Sequence, residues 1–286
     1  MNKNHAGMFI RSTFFGTLLS IVFCFSSFGQ KTPDFKVIAF FTAKQDRAHI
    51  SFVHEANKWF PGQARRYNFQ YDSTDNWDNL NTVFLKQYQV ILFLDTRPED
   101  AKQREAFQKY MEAGGGWIGF HFSAFALDNS TYPQNWSWYH NTFLGSGEYG
   151  SNTWRPTSAI LRVEDHQFAA TRKLPETIKA SPNEWYRWKN DLRDNKDIRI
   201  LLSVDSTSFP LGTGPKQHEI WHSGYYPVVW NNKNFNMMYV NMGHNDIDYD
   251  GGTNNQLSST FGNPNEDELI IDAIIAFGKK KKSSKR

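Results

Sequence analysis

The chain has 286 residues, with 32 Lys+Arg against 29 Asp+Glu, one cysteine and ten tryptophans. A balance this close to neutral argues against a nucleic-acid-binding surface. A single cysteine excludes an internal disulfide framework and a thiolate metal site.

The N-terminus reads as a targeting segment. Lys3 and Arg11 precede the apolar run Phe14–Phe25, and Ser27-Phe28-Gly29 places small residues at −3 and −1 of a cleavage site. This predicts a signal peptide over residues 1–29 and a periplasmic or secreted protein. The run is short for a membrane span, so no stable span is expected after cleavage. Lipidation at Cys24 is the competing reading, opposed by the bulk of Phe23 just before it. Cleavage leaves 257 residues (286 − 29) without cysteine, which suits an oxidising compartment. Six of the remaining positive charges fall in the tail 279–286, leaving the body slightly acidic. A single domain over 30–278 and a disordered basic tail over 279–286 are expected.

In chain order, 35–41 (FKVIAFF), 88–94 (YQVILFL) and 116–121 (GWIGFH) are continuous apolar runs, the pattern of parallel strands buried on both faces. Helices are predicted between them, over 49–60, ending before Pro61-Gly62, and over 98–113, where Pro98, Glu99 and Asp100 fill the first turn and Gly114 stops it. Later runs at 157–164, 198–204, 226–230 and 236–242 read as strands, and 264–277 as a closing helix led by Asn263-Pro264. Alternating strands and helices in the first half predict an α/β doubly wound sheet. The C-terminal half adds strands, some of them antiparallel.

In such a sheet ligands bind beyond the carboxyl ends of the strands. Asp95 follows the second run, His121 closes the third, His244 follows 236–242, and His49 opens the first helix. The segment Gly114-Gly115-Gly116-Trp117-Ile118-Gly119-Phe120-His121 delivers a histidine to a turn, much as a nucleophile elbow delivers its serine. The histidine offers a base, an acid or a ligand; a helix–strand junction with a structural histidine is the plainer reading.

This glycine-rich segment, preceded by Gln103-Arg104-Glu105-Ala106-Phe107 and Tyr110, resembles the central signature of the ThuA-like (trehalose utilisation protein A-like) family. Trp138-Tyr139 with Leu144-Gly145, Val163-Glu164-Asp165, Leu174-Pro175, Asn183-Glu184-Trp185-Tyr186, Pro227-Val228-Val229-Trp230 and Met242-Gly243-His244 follow in the family's order. The resemblance spans about 35–278. It implies a flavodoxin-like fold of the class I glutamine amidotransferase-like type and a role in disaccharide or keto-sugar metabolism. It also implies that His121 stands where amidotransferases hold their cysteine, so glutamine hydrolysis through a thioester is not open to this chain. The sequence departs from the family at Ser151-Asn152-Thr153, His166-Gln167 and Tyr226-Pro227, where His-Pro is usual.

The candidate catalytic residues are then His121, His244 and Glu184, with His49, Asp95, Trp138, Tyr139, Trp185 and Tyr186 as candidate binders of a carbohydrate. Flat aromatic faces suit sugar C–H faces, although tryptophans also fill cores. The carboxylates Asp128, Glu148, Glu164 and Asp165 show no spacing that demands a glycosidase pair. If a divalent metal such as zinc or manganese is present, His121, Glu184 and His244 are its expected ligands. The expected activity is acid/base chemistry by histidine on a keto-sugar or glycoside. A non-catalytic carbohydrate-binding module serving sugar uptake or degradation is the alternative.

Overall fold

Four apolar runs become the inner strands of one sheet, since each is too apolar to leave either face in water. The computed structural model describes Met1 and residues 32–44, 46–209, 221, 224–246 and 257–280. Residues 2–29 of the predicted signal segment and 281–286 of the tail lie outside them. The elements run β1 (Lys36–Phe40), α1 (Arg47–Tyr67), β2 (Gln70–Thr74), β3 (Val90–Phe93), α2 (Ala101–Glu112), β4 (Gly116–Phe120), β5 (Tyr149–Asn152), β6 (Ile160–Val163), β7 (Thr177–Lys179), β8 (Tyr186–Trp188), β9 (Ile198–Val204), β10 (Tyr226–Asn232), β11 (Asn236–Val240) and α3 (Pro264–Lys279).

The main sheet has nine strands in the order β2-β1-β3-β4-β11-β10-β9-β6-β7, and β5 pairs with β8 in a separate ribbon. Neighbours from β2 through β11 are parallel, and the strands beyond β11 join antiparallel. The parallel half is the predicted flavodoxin-like sheet, and the C-terminal strands extend it. Alternation along the strands sorts side chains between two layers. Val37, Ala39, Leu92 and Ile118 pack with α1 and α3, whereas Ile38, Phe40, Phe93 and Trp117 pack with α2. Helices therefore cover both faces.

Several boundaries differ from the sequence expectation. Helix α1 does not end before Pro61 but runs six residues past it to Tyr67. A mid-helix proline costs roughly 3 kcal/mol, and burial of Phe60 and Ala64 on either side of it opposes that cost. The helix stops at Asn68, whose left-handed backbone (φ 57°) returns its N–H to the Ala64 carbonyl. Helix α2 starts at Ala101 rather than Pro98, because the Asp100 carboxylate caps it by accepting from the Lys102 and Gln103 N–H groups. The first C-terminal strand is shorter than its apolar run and starts at Ile160. Strand β2 escaped the sequence reading because QYDST is a polar edge strand. No helix among the described residues is long and apolar enough to cross a membrane.

Candidate functional site

The chain reverses direction across the sheet between β1 and β3: β2 lies on one side of β1 and β3 on the other. That switch point opens a crevice at the strands' carboxyl ends. The Asp95 carboxylate closes its floor, accepting from Thr42 N–H (2.8 Å), Thr42 Oγ1 (3.0 Å) and Ala43 N–H (2.6 Å). Burial raises its pKa, while these donors pull the other way. Above it lies a cleft of about 740 Å³, walled by Trp77, Phe122, Phe125 and Tyr132 and reaching His49.

His49 is placed by a helix start. Asp46 caps α1 by accepting from the Ala48 and His49 N–H groups, fixing the first turn at the cleft's inner end. His121 is placed by β4. An added Cβ at Gly119 would lie 2.1 Å from the Trp117 ring, so only glycine lets the strand pass that indole. Past β4 the chain turns sharply, with His121 at φ 38°, and Tyr239 Oη donates to the His121 carbonyl at 2.8 Å. His121 is thus not the last residue of the strand but the first of the following turn.

His244 is placed by β11, which lies beside β4 with Val240 opposite Phe120. Gly243 takes φ 133°, and the N–H groups of Gly243 and His244 both donate to Asn183 Oδ1, at 3.2 and 3.1 Å. The next residue, Glu184, donates its N–H to the His244 carbonyl at 2.9 Å. These bonds lock the Glu184 and His244 segments together.

Glu184 Oε2 consequently lies 3.2 Å from His121 Nε2 and 3.2 Å from His244 Nδ1, and Asn152 Nδ2 donates to its Oε1. The His49 ring centroid is 4.9 Å from that of His244 and 5.4 Å from that of His121. All four side chains are buried. Asn241 Nδ2 contacts His121 Nδ1 at 3.0 Å, while Asn241 Oδ1 accepts the Tyr186 N–H at 2.6 Å. That second bond fixes which end of the amide faces the imidazole. The amide therefore donates to Nδ1, and neutral His121 carries its proton on Nε2, toward Glu184.

Burial holds His49 well below the usual histidine range, with His244 and His121 adding to the effect. Burial also lowers His121, against the pull of Glu184. His244 behaves oppositely: burial disfavours its charge, but Glu184, Asp46 and Asp246 together raise it. Burial alone would raise Glu184, yet His244 and His121 hold it far below the ordinary carboxylate range.

The structure thus brings together His121, His244, Glu184 and His49. Asp95 lines the cleft with its oxygens already committed. Tyr186 lies tilted against His121, with ring centroids 4.1 Å apart, and backs the imidazole without lining the cleft that His49 reaches. Three aromatic assignments are corrected. Trp185 is fully buried among the apolar residues around α1 and α3, and its indole N–H donates to the Thr157 carbonyl. Trp138 and Tyr139 pack around Phe107 in the α2-side core, with Tyr139 Oη donating to the Ser123 carbonyl. Trp185 and Tyr139 fill the core and Trp138 lies half-buried against it, because aromatic area gains more from burial than from an exposed edge.

The scattered carboxylates engage elsewhere. Glu148 pairs with Lys189, Glu164 accepts from Ser203 Oγ, Asp165 pairs with Arg199, and Asp128 accepts from the Gln134 N–H. Sequence reading missed Asn183, Asn241 and the cleft wall at Trp77 and Phe122. An asparagine inside the apolar run 236–242 was the one available sign of Asn241.

An open α/β sheet of flavodoxin-like order thus carries imidazoles and a carboxylate at its carboxyl edge, with a histidine directly after β4. The sequence matches the ThuA family, described as trehalose utilisation, over residues 37–258, and the chain belongs to that family. This membership ties it to carbohydrate use. It is similar to a ThuA-like protein from Bacteroides uniformis, with 34% identity, coverage of 88% of this chain and 95% of the other, and a TM-score of 0.74. A ThuA-like protein from Parabacteroides merdae shares the fold at 16% identity, with 89% and 93% covered and a TM-score of 0.59. A glutamine amidotransferase from Thermotoga maritima aligns at 8% identity and a TM-score of 0.48, covering 86% of this chain and 99% of the other. Comparison with curated proteins gives no significant match.

Proposed function

We propose that this protein is a secreted enzyme that acts on a carbohydrate, a keto-sugar or a glycoside, by proton transfer at the histidine–Glu184 cluster. One observation carries the reading: a single carboxylate oxygen stands 3.2 Å from two buried imidazoles, and a third imidazole packed against both, His49, lines the cleft. A purely structural ion pair needs one histidine, whereas three around one carboxylate form an array that can donate and accept protons at one place. A ketone beside the abstracted proton makes the step feasible, because nearby donors stabilise the enolate oxygen. The aromatic walls at Trp77, Phe122, Phe125 and Tyr132 suit sugar faces.

The test is NMR of the purified protein with 3-keto glycosides and with their unoxidised parents. New product signals that disappear in His121→Gln and His244→Gln support the reading. Line broadening of the sugar without turnover would replace it with a non-catalytic carbohydrate-binding module.

A further inference from the structure

Two buried imidazole nitrogens in this cluster have no hydrogen-bond partner among the described residues: His49 Nε2 and His244 Nδ1. A buried polar atom without a partner is costly, so each one needs a physical reason. The case of His244 is informative, because its Nδ1 lies 3.2 Å from Glu184 Oε2 and yet makes no hydrogen bond to it. The approach is close but the direction is wrong for an N–H···O bond. When Nδ1 gives up its proton, the two atoms are held side by side as ligands of a common cation are.

His49, His121 and His244 can offer nitrogens that lie within 4.8 Å of one another, which suggests a three-imidazole site at first sight. The hydrogen bonds of His121 argue against its membership. Coordination through Nε2 would move the ring proton to Nδ1, where the Asn241 amide already donates. The amide cannot turn over to relieve that clash, because its oxygen accepts the Tyr186 N–H. His121 is suited instead to donate its Nε2–H to Glu184, the role that an outer hydrogen bond plays for a ligating carboxylate.

We propose that His49 Nε2, His244 Nδ1 and the Glu184 carboxylate hold a divalent transition-metal ion, with His121 supporting the carboxylate from outside. This differs from the set expected from sequence, which had His121 as a ligand and lacked His49. Two imidazoles and one carboxylate suit zinc, manganese or iron(II), and three protein ligands leave coordination positions free for a substrate oxygen or water. The inference rests on the cluster being the working site. It assigns His49 and His244 to the ion and leaves His121 as the ionisable imidazole outside the ligand set.

The test uses the full chain, stripped with a chelator and titrated with Co²⁺ and Zn²⁺, reading the cobalt absorption spectrum and the calorimetric stoichiometry. One equivalent per chain is expected. His49→Ala and His244→Ala should each abolish it, with His49→Gln and His244→Gln as second variants and circular dichroism confirming the fold. His121→Gln should still bind one equivalent, weakened by roughly 10- to 100-fold as for an outer hydrogen-bond partner. No stoichiometric binding by the wild type would overturn the proposal. So would loss of binding in His121→Gln together with retention in His49→Ala. Metal binding without sugar turnover would leave this inference standing and remove the proposed activity; turnover with no bound metal would do the reverse.

Discussion

Glu266 offers a sharp test of the energetics, because it is a carboxylate placed where a carboxylic acid fits better. It lies in the first turn of α3 at 1% exposure, and its partners are the Ser181 N–H at 3.1 Å and Ser181 Oγ at 2.9 Å. Burial pushes its pKa up to about 7 from an ordinary 4.5, against the Ser181 bonds and with some help from Asp267. In the unfolded chain the group loses its proton near pH 4.5, whereas in the folded chain it keeps it to about pH 7. Stability is therefore fully present below pH 4.5, falls as pH rises from there to about 7, and stays flat above. The gap corresponds to about 3 kcal/mol as an upper figure, at 1.36 kcal/mol per pH unit. Glu266→Gln keeps the shape and one acceptor while removing the ionisation. It should gain about 1–3 kcal/mol at pH 8, or several degrees in Tm for a domain of this size, and little or nothing at pH 4.5. Urea denaturation of both proteins at the two pH values measures this. An equal change at both would show that Glu266 is not holding a proton in the folded chain, and the argument from its burial would fail.

Three further outcomes follow from the packing. Phe107→Ala should cost about 3–5 kcal/mol in urea denaturation, because that fully buried ring contacts Phe93, Trp117 and Phe143 together. Gly119→Ala should destabilise by about 1–3 kcal/mol or more, since its Cβ would meet the Trp117 ring at 2.1 Å and Ser123 Oγ at 2.6 Å; thermal denaturation reads this. Asn183→Ala leaves the Gly243 and His244 amides without their acceptor. Hydrogen exchange at those two amides should speed up well before exchange in α2 changes, and uniform acceleration would show that the bonds are not local supports.

Much of the parallel half was legible because its strands announce themselves. Val37–Phe40, Val90–Phe93 and Gly116–Phe120 are buried nearly throughout, and continuous apolar runs have few other homes in a chain of this composition. The short strands β5, β7 and β8 gave no such sign; three or four residues carry too little periodicity to be read. The aromatic residues misled for a different reason. A tryptophan on a sugar platform and one in a core are the same letter, and Trp138 and Trp185 could be sorted only by the neighbours that folding brings to them.

The candidate site shows where legibility ends. His121 and His244 could be seen singly as residues following strands, but their meeting depends on β4 and β11 being neighbours in register. Nothing local in the sequence states that pairing, because the two strands are separated by the whole antiparallel extension. Glu184 belongs to no strand end of the parallel sheet. It reaches the histidines because Asn183 accepts from the Gly243 and His244 amides, and because Asn183 Nδ2 donates to the Asn241 carbonyl. Asn241 in turn orients His121. Two asparagines thus join segments about 60 residues apart in sequence. Each bonds through both ends of its amide, and replacing either by leucine would keep the apolar strand pattern while dispersing the carboxylate and its imidazoles. The pattern of apolar residues specifies the sheet, and a few buried amides specify what its edge can do.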